Sequence, residues 1–509
     1  MSRTHINIKG VIALTGCLSA CFYAYATDPV RLPEALHDSV SMSVQSNPEH
    51  IQRINTDSLA KGKSIQLKGN NLPSGYGFTA FSSASMPEVE EWWMTFKDPV
   101  LNRVEAIVRN NNFNLRAALK RIEASRQMLR QTYSGYYPTI SLMAGYDIDR
   151  DSGREALPYS DAQTNTYFQL GATVSWEIDI FGRIRQKAKA AKADIEVSRL
   201  EYEALQLSLE AEAAIQYADI LMYKQQREVA LTHLKSQEDI LAIAEARYKA
   251  GLVSKLDVAQ AKSMVSSTRL LVPQYTSRMT SAMNALATLC GVRNTDIQTM
   301  LGEAAMPHLT VPLQVGVPAD LIRRRPDVAE AEKQIESLAD QMGVAKKAYL
   351  PSLTLNATLG TSSHEAKRLF GTNSFNYEIN PTLTWTLFDG FSREASVAEA
   401  KANMEAQIES YNMTLTTALQ EVEDAMQNYI ASGRELTLYS DVLENSQEVV
   451  DLSLERYRHG LTDFTDVANA QITYLQNHTN YQTARATLFS CIVRLYKALG
   501  GGFSLNANN

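Results

Sequence analysis

The sequence contains few of the residues from which catalytic and metal centres are built. Its 509 residues include four cysteines and eight histidines. The histidines are scattered, and no Gly-rich loop with a following lysine, no His-x-x-x-His pair and no Cys-x-x-Cys pair occurs. The sequence therefore predicts no enzyme, no metal site and no cofactor. Any step that consumes energy must depend on a partner.

Two further absences limit the classes of protein. The formal net charge is −7, which argues against nucleic acid as a partner. After the first 30 positions no run of 18 apolar residues occurs, so the sequence predicts no transmembrane helix. Cys290 and Cys491 lie in apolar helical sequence, and we interpret them as two buried thiols rather than a disulfide.

The N-terminus is typical of an export signal. Arg3 and Lys9 form a basic region, and residues 11–20 form a short apolar one. We therefore assign residues 1–20 to a signal peptide. Residues 21–90 show only weak periodicity, which favours an extended N-terminal arm.

Three positions compete as the first residue of the mature chain. Residues 18–21 (Leu-Ser-Ala-Cys) resemble a lipoprotein box, and we prefer Cys21 as the lipidated residue. Cys17 has a similar box with a shorter apolar run, and ordinary cleavage would instead precede Thr27. Phe22 stands where inner-membrane lipoproteins carry an aspartate, which favours sorting to the outer membrane.

A duplicated motif organises the chain. Arg-Tyr-x-x-Gly-Leu occurs at residues 247–252 and again at 456–461, an offset of 209. Residues 115–123 match 328–336 at an offset of 213. The sequence therefore predicts two halves with one architecture. The predicted parts are a first repeat at 91–300, a connector at 301–320, a second repeat at 321–500 and a C-terminal tail at 501–509.

Each half contains two segments in which apolar and polar residues alternate. The predicted strands lie at about 139–149 and 167–179, and at about 352–360 and 377–388. Strands of about ten residues with one apolar and one polar face are typical of membrane β-barrels. Trp176 and Trp385 lie at the same end of their strands, as an interfacial aromatic girdle requires. The alternative is a soluble sandwich. Four strands are too few for either, so the pattern predicts association of several copies.

Long helices follow each strand pair. Residues 183–250 contain neither glycine nor proline, which predicts a helix of roughly 100 Å at about 1.5 Å per residue. Glycine at 251 and 460 predicts a tight turn to a returning helix. In the second half we expect an interruption at Ser432-Gly433. Helices much longer than a membrane is thick suggest a conduit that continues into an aqueous compartment.

Five segments carry a resemblance to a known family: residues 92–99, 176–183, 323–328 (Arg-Arg-Arg-Pro-Asp-Val) and the two duplicated tips. The chain resembles TolC-type outer-membrane efflux proteins of the lipoprotein (NodT-like) branch, which serve resistance-nodulation-division (RND) pumps. The resemblance implies an α+β membrane protein in which four strands per chain join a trimeric twelve-stranded outer-membrane β-barrel. It also implies a periplasmic barrel of coiled-coil helices, a homotrimer, a periplasmic adaptor protein, an inner-membrane RND-type pump and contact with outer-membrane lipid.

The resemblance places the functional residues at the tips. Asp466 matches a carboxylate that rings the periplasmic entrance, and Asn469 stands where the family often has a second acid. Tyr457 matches a tyrosine that helps hold the tip closed, although Thr462 replaces its usual basic partner. The gate set is completed by Asp463 and Asp257, and the turns that match adaptor contacts are Gly251, Leu252, Gly460 and Leu461. Each aspartate after a tip could also be a helix N-cap, and the two roles are compatible.

The leading interpretation is a passive exit duct for small molecules such as drugs and toxic compounds. One alternative is an exit duct of a type I secretion system that exports a polypeptide. A second alternative is a periplasmic coiled-coil scaffold that conducts nothing. The lipoprotein box and the Arg-Arg-Arg-Pro-Asp-Val segment favour efflux over secretion, and the amphipathic strands argue against a scaffold.

Overall fold

The computed structural model describes residues 91–150, 152, 154, 164–302, 304–307 and 324–501. The predicted signal peptide, the lipidation site Cys21 with its alternatives Cys17 and Thr27, and the N-terminal arm lie outside these residues. Most of the connector and the tail after residue 501 also lie outside them.

The described chain is mainly helical and contains one sheet. A short 3-10 helix, Trp92–Phe96, precedes the first α-helix. In chain order the elements are α1 (Pro99–Asn111), α2 (Phe113–Ser134), β1 (Thr139–Arg150), β2 (Thr164–Ile178), α3 (Arg183–Lys249), α4 (Lys255–Cys290), α5 (Asn294–Met300), α6 (Pro326–Lys347), β3 (Ser352–Ser363), β4 (Phe375–Thr384), α7 (Ser392–Arg458) and α8 (Phe464–Ala498). A second short 3-10 helix, Ala366–Arg368, lies between β3 and β4.

The sheet is antiparallel throughout and has the order β1-β2-β3-β4. Its two edges are β1 and β4, one from each repeat. Apolar side chains on these edge strands are exposed, and no second layer covers them within the described residues. The interpretation as a soluble sandwich with an apolar interior is therefore wrong for the single chain. Large exposed side chains on the edges include Ile140, Leu142, Ile148, Tyr377, Ile379 and Leu383.

The four predicted strands are present, but the fourth ends earlier than predicted. It stops at Thr384, so Trp385 and the predicted residues up to 388 lie beyond it. Thr384 pairs with Ser352, the first residue of β3, which follows Pro351. Proline has no backbone N–H to donate, and the residues after Thr384 have no ladder partner. The Trp385 indole instead donates to the backbone carbonyl of Tyr349 at 3.0 Å.

The two longest helices, α3 and α7, contain 67 residues each. The interruption expected at Ser432-Gly433 is wrong, because α7 passes through Gly433 without a break. One glycine in a helix interior costs only about 1 kcal/mol. The Ser432 hydroxyl is buried beside the Cys491 thiol at 3.1 Å, so this part of α7 is held against α8. Cys290 and Cys491 are free and buried, as predicted.

The largest core lies where α1, α3, α4 and α8 meet. Asp98 caps α1 by accepting hydrogen bonds from the backbone N–H groups of Val100 and Leu101, and Pro99 follows it as predicted. The Tyr217 hydroxyl of α3 also donates to Asp98 at 2.5 Å. This core therefore joins the start of the first repeat to the middle of α3. Its fully buried side chains include Trp92, Leu101, Tyr217, Leu286 and Phe489. No described helix has an apolar stretch long enough to cross a bilayer.

Candidate functional site

Two helix tips with the same geometry form the candidate site. Gly251 and Gly460 adopt φ angles of 73° and 76°, which side-chain-bearing residues rarely adopt. At the first tip the N–H of Leu252 donates to the carbonyl of Arg247, and the N–H of Gly251 donates to that of Tyr248. At the second tip the N–H of Leu461 donates to the carbonyl of Arg456, and the N–H of Gly460 donates to that of Tyr457. Both turns are therefore Schellman caps, which only glycine fits without strain.

The residues after each glycine present apolar side chains to solvent. Leu252 is 69% exposed and Leu461 is 68% exposed. Leu256, one helical turn later, is also exposed. The tips therefore combine a fixed backbone with accessible apolar surface.

Asp257 and Asp466 are not N-caps, so that interpretation is wrong for these two aspartates. Ser254 and Asp463 occupy the N-cap positions, and Asp257 and Asp466 lie three residues later in the first turns of α4 and α8. There the carboxylates face helix N-termini, which stabilise negative charge. The Ser254 hydroxyl donates to Asp257 at 2.7 Å, and the Thr462 hydroxyl donates to Asp466. A neighbouring hydroxyl therefore orients each carboxylate.

Of the predicted gate residues, the structure brings Asp466 and Asn469 together. Both line an open groove of about 500 Å³ between α7 and α8, which Arg456 and Thr462 also line. Asp463 is exposed at the start of α8, and Asp257 belongs to the first tip.

Tyr457 lies apart from that groove, in the contact between the two helical hairpins. Its side chain is 1% exposed, and its ring meets the Phe464 ring edge-on at 5.5 Å. Burial is the main cause that raises the pKa of Tyr457, and the charge of Asp257 raises it further. The Tyr457 hydroxyl has no hydrogen-bond partner within the described part of the chain.

Arg247 is the contact of Tyr457 that sequence reasoning missed. Its guanidinium lies 4.6 Å from the centre of the Tyr457 ring and donates to the Tyr457 backbone carbonyl. A basic group is therefore present beside Tyr457, but it comes from the first tip and not from position 462. Arg247 belongs to the duplicated motif, and this was the sequence feature that could have identified it as a tip residue. Gln260 and Thr465 add a polar contact of 3.4 Å between the hairpins.

The described residues contain no group of three or more His, Cys, Asp or Glu side chains placed to hold a metal ion. What the tips provide is carboxylates close to the two turns and contacts between the two hairpins, an arrangement compatible with the gate that the resemblance implies.

The family profile of outer membrane efflux proteins matches residues 106–292 and 317–501. These two segments cover most of both repeats. The chain belongs to the outer membrane efflux protein family. The resemblance found in the sequence is thereby confirmed.

Members of the outer membrane efflux protein family with curated names are similar over most of this chain. The toluene efflux pump outer membrane protein TtgF of Pseudomonas putida is 29% identical over 415 residues, which cover 81% of this chain and 85% of that protein. Nodulation protein T of Rhizobium leguminosarum bv. viciae is 27% identical over 434 residues, which cover 85% and 88%.

Solved structures of outer-membrane channels are similar to this chain in fold. The outer-membrane channel OprN matches with a TM-score of 0.76 at 27% identity, over 91% of this chain and 99% of that one. The Campylobacter jejuni channel CmeC matches with a TM-score of 0.76 at 22% identity, over 92% and 96%, and shows the fold alone. These family members are channels. The present member is an outer-membrane exit duct for efflux.

Proposed function

We propose that three copies of the chain form a lipid-anchored duct, which a periplasmic adaptor and an inner-membrane RND-type pump complete. The observation that carries this proposal is the four-stranded sheet with one unpaired edge from each repeat. Unpaired backbone N–H and C=O groups cost several kcal/mol each in hydrocarbon. Pairing β4 of one copy with β1 of the next satisfies them, and three copies provide a closed barrel of twelve strands.

The helices give the duct its length. At about 1.5 Å per residue, α3 and α7 each extend roughly 100 Å, several times the bilayer core of about 30 Å. The helical hairpins therefore form the periplasmic part of the duct. The energy for export comes from the pump, and the duct itself is passive.

The tips supply the contacts and the gate. The exposed Leu252 and Leu461, held by the turns at Gly251 and Gly460, meet the adaptor. Three copies of Asp466 ring the entrance with Asn469, with further charge from Asp463 and Asp257, and such a ring attracts cations and repels anions. Tyr457 and Arg247 hold the hairpins together in the closed state.

Small molecules are the proposed cargo. The curated relatives include proteins named for export of toluene, solvents and pyoverdine. The acyl chains on Cys21 would anchor the N-terminal arm in the outer membrane.

Reconstitution tests the duct itself. Purified full-length protein should run as a trimer by native mass spectrometry and should give discrete conductance steps in planar bilayers. A monomer, or a trimer that conducts nothing, contradicts the proposal, and the second result would support a scaffold. A deletion strain tested against dyes, antibiotics and metal ions then identifies the cargo. Sensitivity to none of them, with loss of a secreted polypeptide, would support a type I secretion duct instead.

A second experiment tests the anchor. The Cys21→Ala variant should lose incorporation of labelled palmitate, whereas Cys17→Ala should retain it. Retained label in Cys21→Ala would remove Cys21 as the lipidated residue.

A further inference from the structure

The two repeats contain one Arg-Tyr pair each. Within the chain, the arginine of the first pair contacts the tyrosine of the second, and the other two side chains make no equivalent contact. Positions 247 and 248 are equivalent to 456 and 457 at the offset of 209. Arg247 contacts Tyr457 across the hairpin boundary. The other two members have no such contact. Tyr248 is 45% exposed, and the Arg456 side chain is exposed without a hydrogen bond or ion pair to the described residues.

The same asymmetry extends along the helices. On α3, the side chains that face α8 are covered, and Val229, His233 and Ile240 are at most 5% exposed. At the equivalent positions on α7, Leu438 is 62%, Val442 is 44% and Val449 is 53% exposed. The stripe that is buried in the first repeat is therefore exposed in the second, where all three of these side chains are apolar.

The repeat relation identifies the helix that covers this stripe. In the first repeat α8 covers α3, as the contact of His233 with the Tyr474 ring at 4.7 Å shows. The helix equivalent to α8 is α4, and the α4 of the same chain is packed against α3. The α4 that covers α7 must therefore come from a second copy of the chain. Contacts of this head-to-tail kind close into a ring when the rotation between copies is suitable.

The charges on the two helices are complementary. Helix α4 carries four basic side chains and one acidic one, namely Lys255, Lys262, Arg269, Arg278 and Asp257. Residues 434–458 of α7 carry six acidic side chains and three basic ones, namely Glu435, Asp441, Glu444, Glu448, Asp451, Glu455, Arg434, Arg456 and Arg458. Lys262 and Arg269 already pair with Glu245 and Glu238 of α3, but these pairs are exposed and leave donors available. The acidic face of α7 therefore suits the basic face of a neighbouring α4.

We propose that Arg456 of one copy lies over the Tyr248 ring of the next copy, as Arg247 lies over Tyr457 within a chain. The inference rests on the proposed trimer. In that trimer, Arg-Tyr contacts within chains and between chains alternate around the entrance. Arg456 also lines the groove that holds Asp466 and Asn469, so the neighbouring copy closes the open side of the candidate gate. Opening the entrance then requires the contacts between chains to separate.

Cross-linking with a short bis-maleimide tests the contact in the full-length protein. The paired variant Arg456→Cys/Tyr248→Cys should give covalent dimers and trimers in denaturing gels, several-fold above either single variant. The pair Arg247→Cys/Tyr457→Cys calibrates the reagent, because its link should form within one chain and leave the mass of a monomer. The matched control is Arg458→Cys/Tyr248→Cys, since Arg458 lies on a different face of α7 and should give no cross-linked oligomer.

The outcomes separate this inference from the proposed function. A trimer by native mass spectrometry in which Arg456→Cys/Tyr248→Cys links no better than the Arg458 control overturns the inference and leaves the duct intact. A protein that is monomeric overturns both. As a second readout, Arg456→Met and Tyr248→Ala should each raise bilayer conductance, and the double variant should raise it no further than the larger single effect. Additive increases would show that the two side chains act separately.

Discussion

A buried carboxyl group lies in the largest core without a partner. Glu105 on α1 is fully buried, and neither of its side-chain oxygens has a hydrogen-bond partner among the described residues. Burial is the main cause that raises the pKa of Glu105 well above its usual range. The nearby charge of Glu210 raises it further, while that of Arg109 lowers it. Glu105 is therefore protonated at pH values where an exposed glutamate is ionised.

This raised pKa makes stability depend on pH. Because the folded state holds the proton more tightly, the contribution of Glu105 is complete below the unfolded pKa of about 4.3 and is lost as pH rises toward the folded pKa. We expect Glu105→Gln to reduce the fall in melting temperature between about pH 5 and pH 9. The exposed Glu123→Gln is the control and should follow the wild type. Parallel curves for all three proteins would contradict the prediction.

Removal of the Tyr457 hydroxyl and removal of the Arg247 guanidinium should affect channel conductance differently. Because the hydroxyl has no partner, Tyr457→Phe should leave conductance unchanged and stability unchanged or higher. Arg247→Met removes a charge-assisted hydrogen bond of about 1.5–3 kcal/mol and a ring contact of about 0.5–2 kcal/mol. It should therefore raise conductance in planar bilayers. If Tyr457→Phe opened the channel and Arg247→Met did not, the closing contact would be the hydroxyl.

Asp466 should control block of the channel by multivalent cations. Asp466→Ala removes the carboxylate that Thr462 orients, so we expect higher conductance at acidic and neutral pH alike. In the proposed trimer the substitution removes three negative charges from the entrance, which should also weaken block by multivalent cations. Thr462→Val is the control, because it removes the hydrogen bond and keeps the charge, and it should retain the block. Unchanged block in Asp466→Ala would place Asp466 outside the entrance ring.

At the scale of elements, two glycines set the distance between the repeats in the sheet. Gly171 of β2 pairs with Gly360 of β3. A Cβ added at Gly360 would lie 2.7 Å from the backbone oxygen of Leu170, which real contacts do not allow. Gly145 of β1 is a matched control, because its nearest contact would be an ordinary 3.6 Å.

We expect Gly360→Ala to destabilise the sheet by about 1–3 kcal/mol, the usual cost of overpacking, and Gly145→Ala to be tolerated. Heat-dependent mobility in denaturing gels measures this, because a folded sheet migrates differently from an unfolded chain. A Gly360→Ala protein with wild-type heat resistance would mean that β2 and β3 can separate without loss.

Sequence patterns predicted the elements well and their ends less well. Alternation located all four strands, and the glycine- and proline-free segment located α3 almost to the residue. The early end of β4 was not predictable from alternation, because it depends on where β3 begins and on the Trp385 bond to Tyr349. The expected interruption of α7 at Gly433 was wrong because local sequence was given too much weight. The intrinsic cost of this glycine is small beside the packing of Ser432 against α8, which the sequence of one helix does not reveal.

At the scale of the whole molecule, the duplication in the sequence predicted the two tips, and the family resemblance predicted their aspartates. Neither predicted which residues of the two hairpins are in contact. Arg247 and Tyr457 lie 210 positions apart in the sequence and are neighbours only because α3 lies against α8, a contact that no local sequence pattern reveals. The contact between Arg247 and Tyr457 depends on tertiary packing. The sequence indicated only that both residues belong to copies of the same motif.

A polar seam between the two hairpins is the largest-scale feature still without a role. It comprises Gln226, His233 and Gln237 on α3, with Gln471, Tyr474 and His478 on α8. Both polar side-chain atoms of Gln237, and the Gln471 oxygen, are buried without a hydrogen-bond partner among the described residues. The seam lies between the main core and the apolar cluster at the tips, which contains Ile240 and Val467. Such unsatisfied groups weaken this contact, and we expect them to favour movement of one hairpin against the other during opening.

We expect Gln237→Leu/Gln471→Leu to raise the melting temperature, because each buried unsatisfied group costs about 1–3 kcal/mol. The same variant should lower efflux in a complemented deletion strain, because tighter hairpins oppose opening. Gln225→Leu/Gln476→Leu is the matched control, since both glutamines are exposed on the same two helices, and it should leave efflux unchanged. A double variant that is more stable yet exports as well as the wild type would separate the seam from the gate. Opening would then have to occur between chains, where Arg456 meets the next copy.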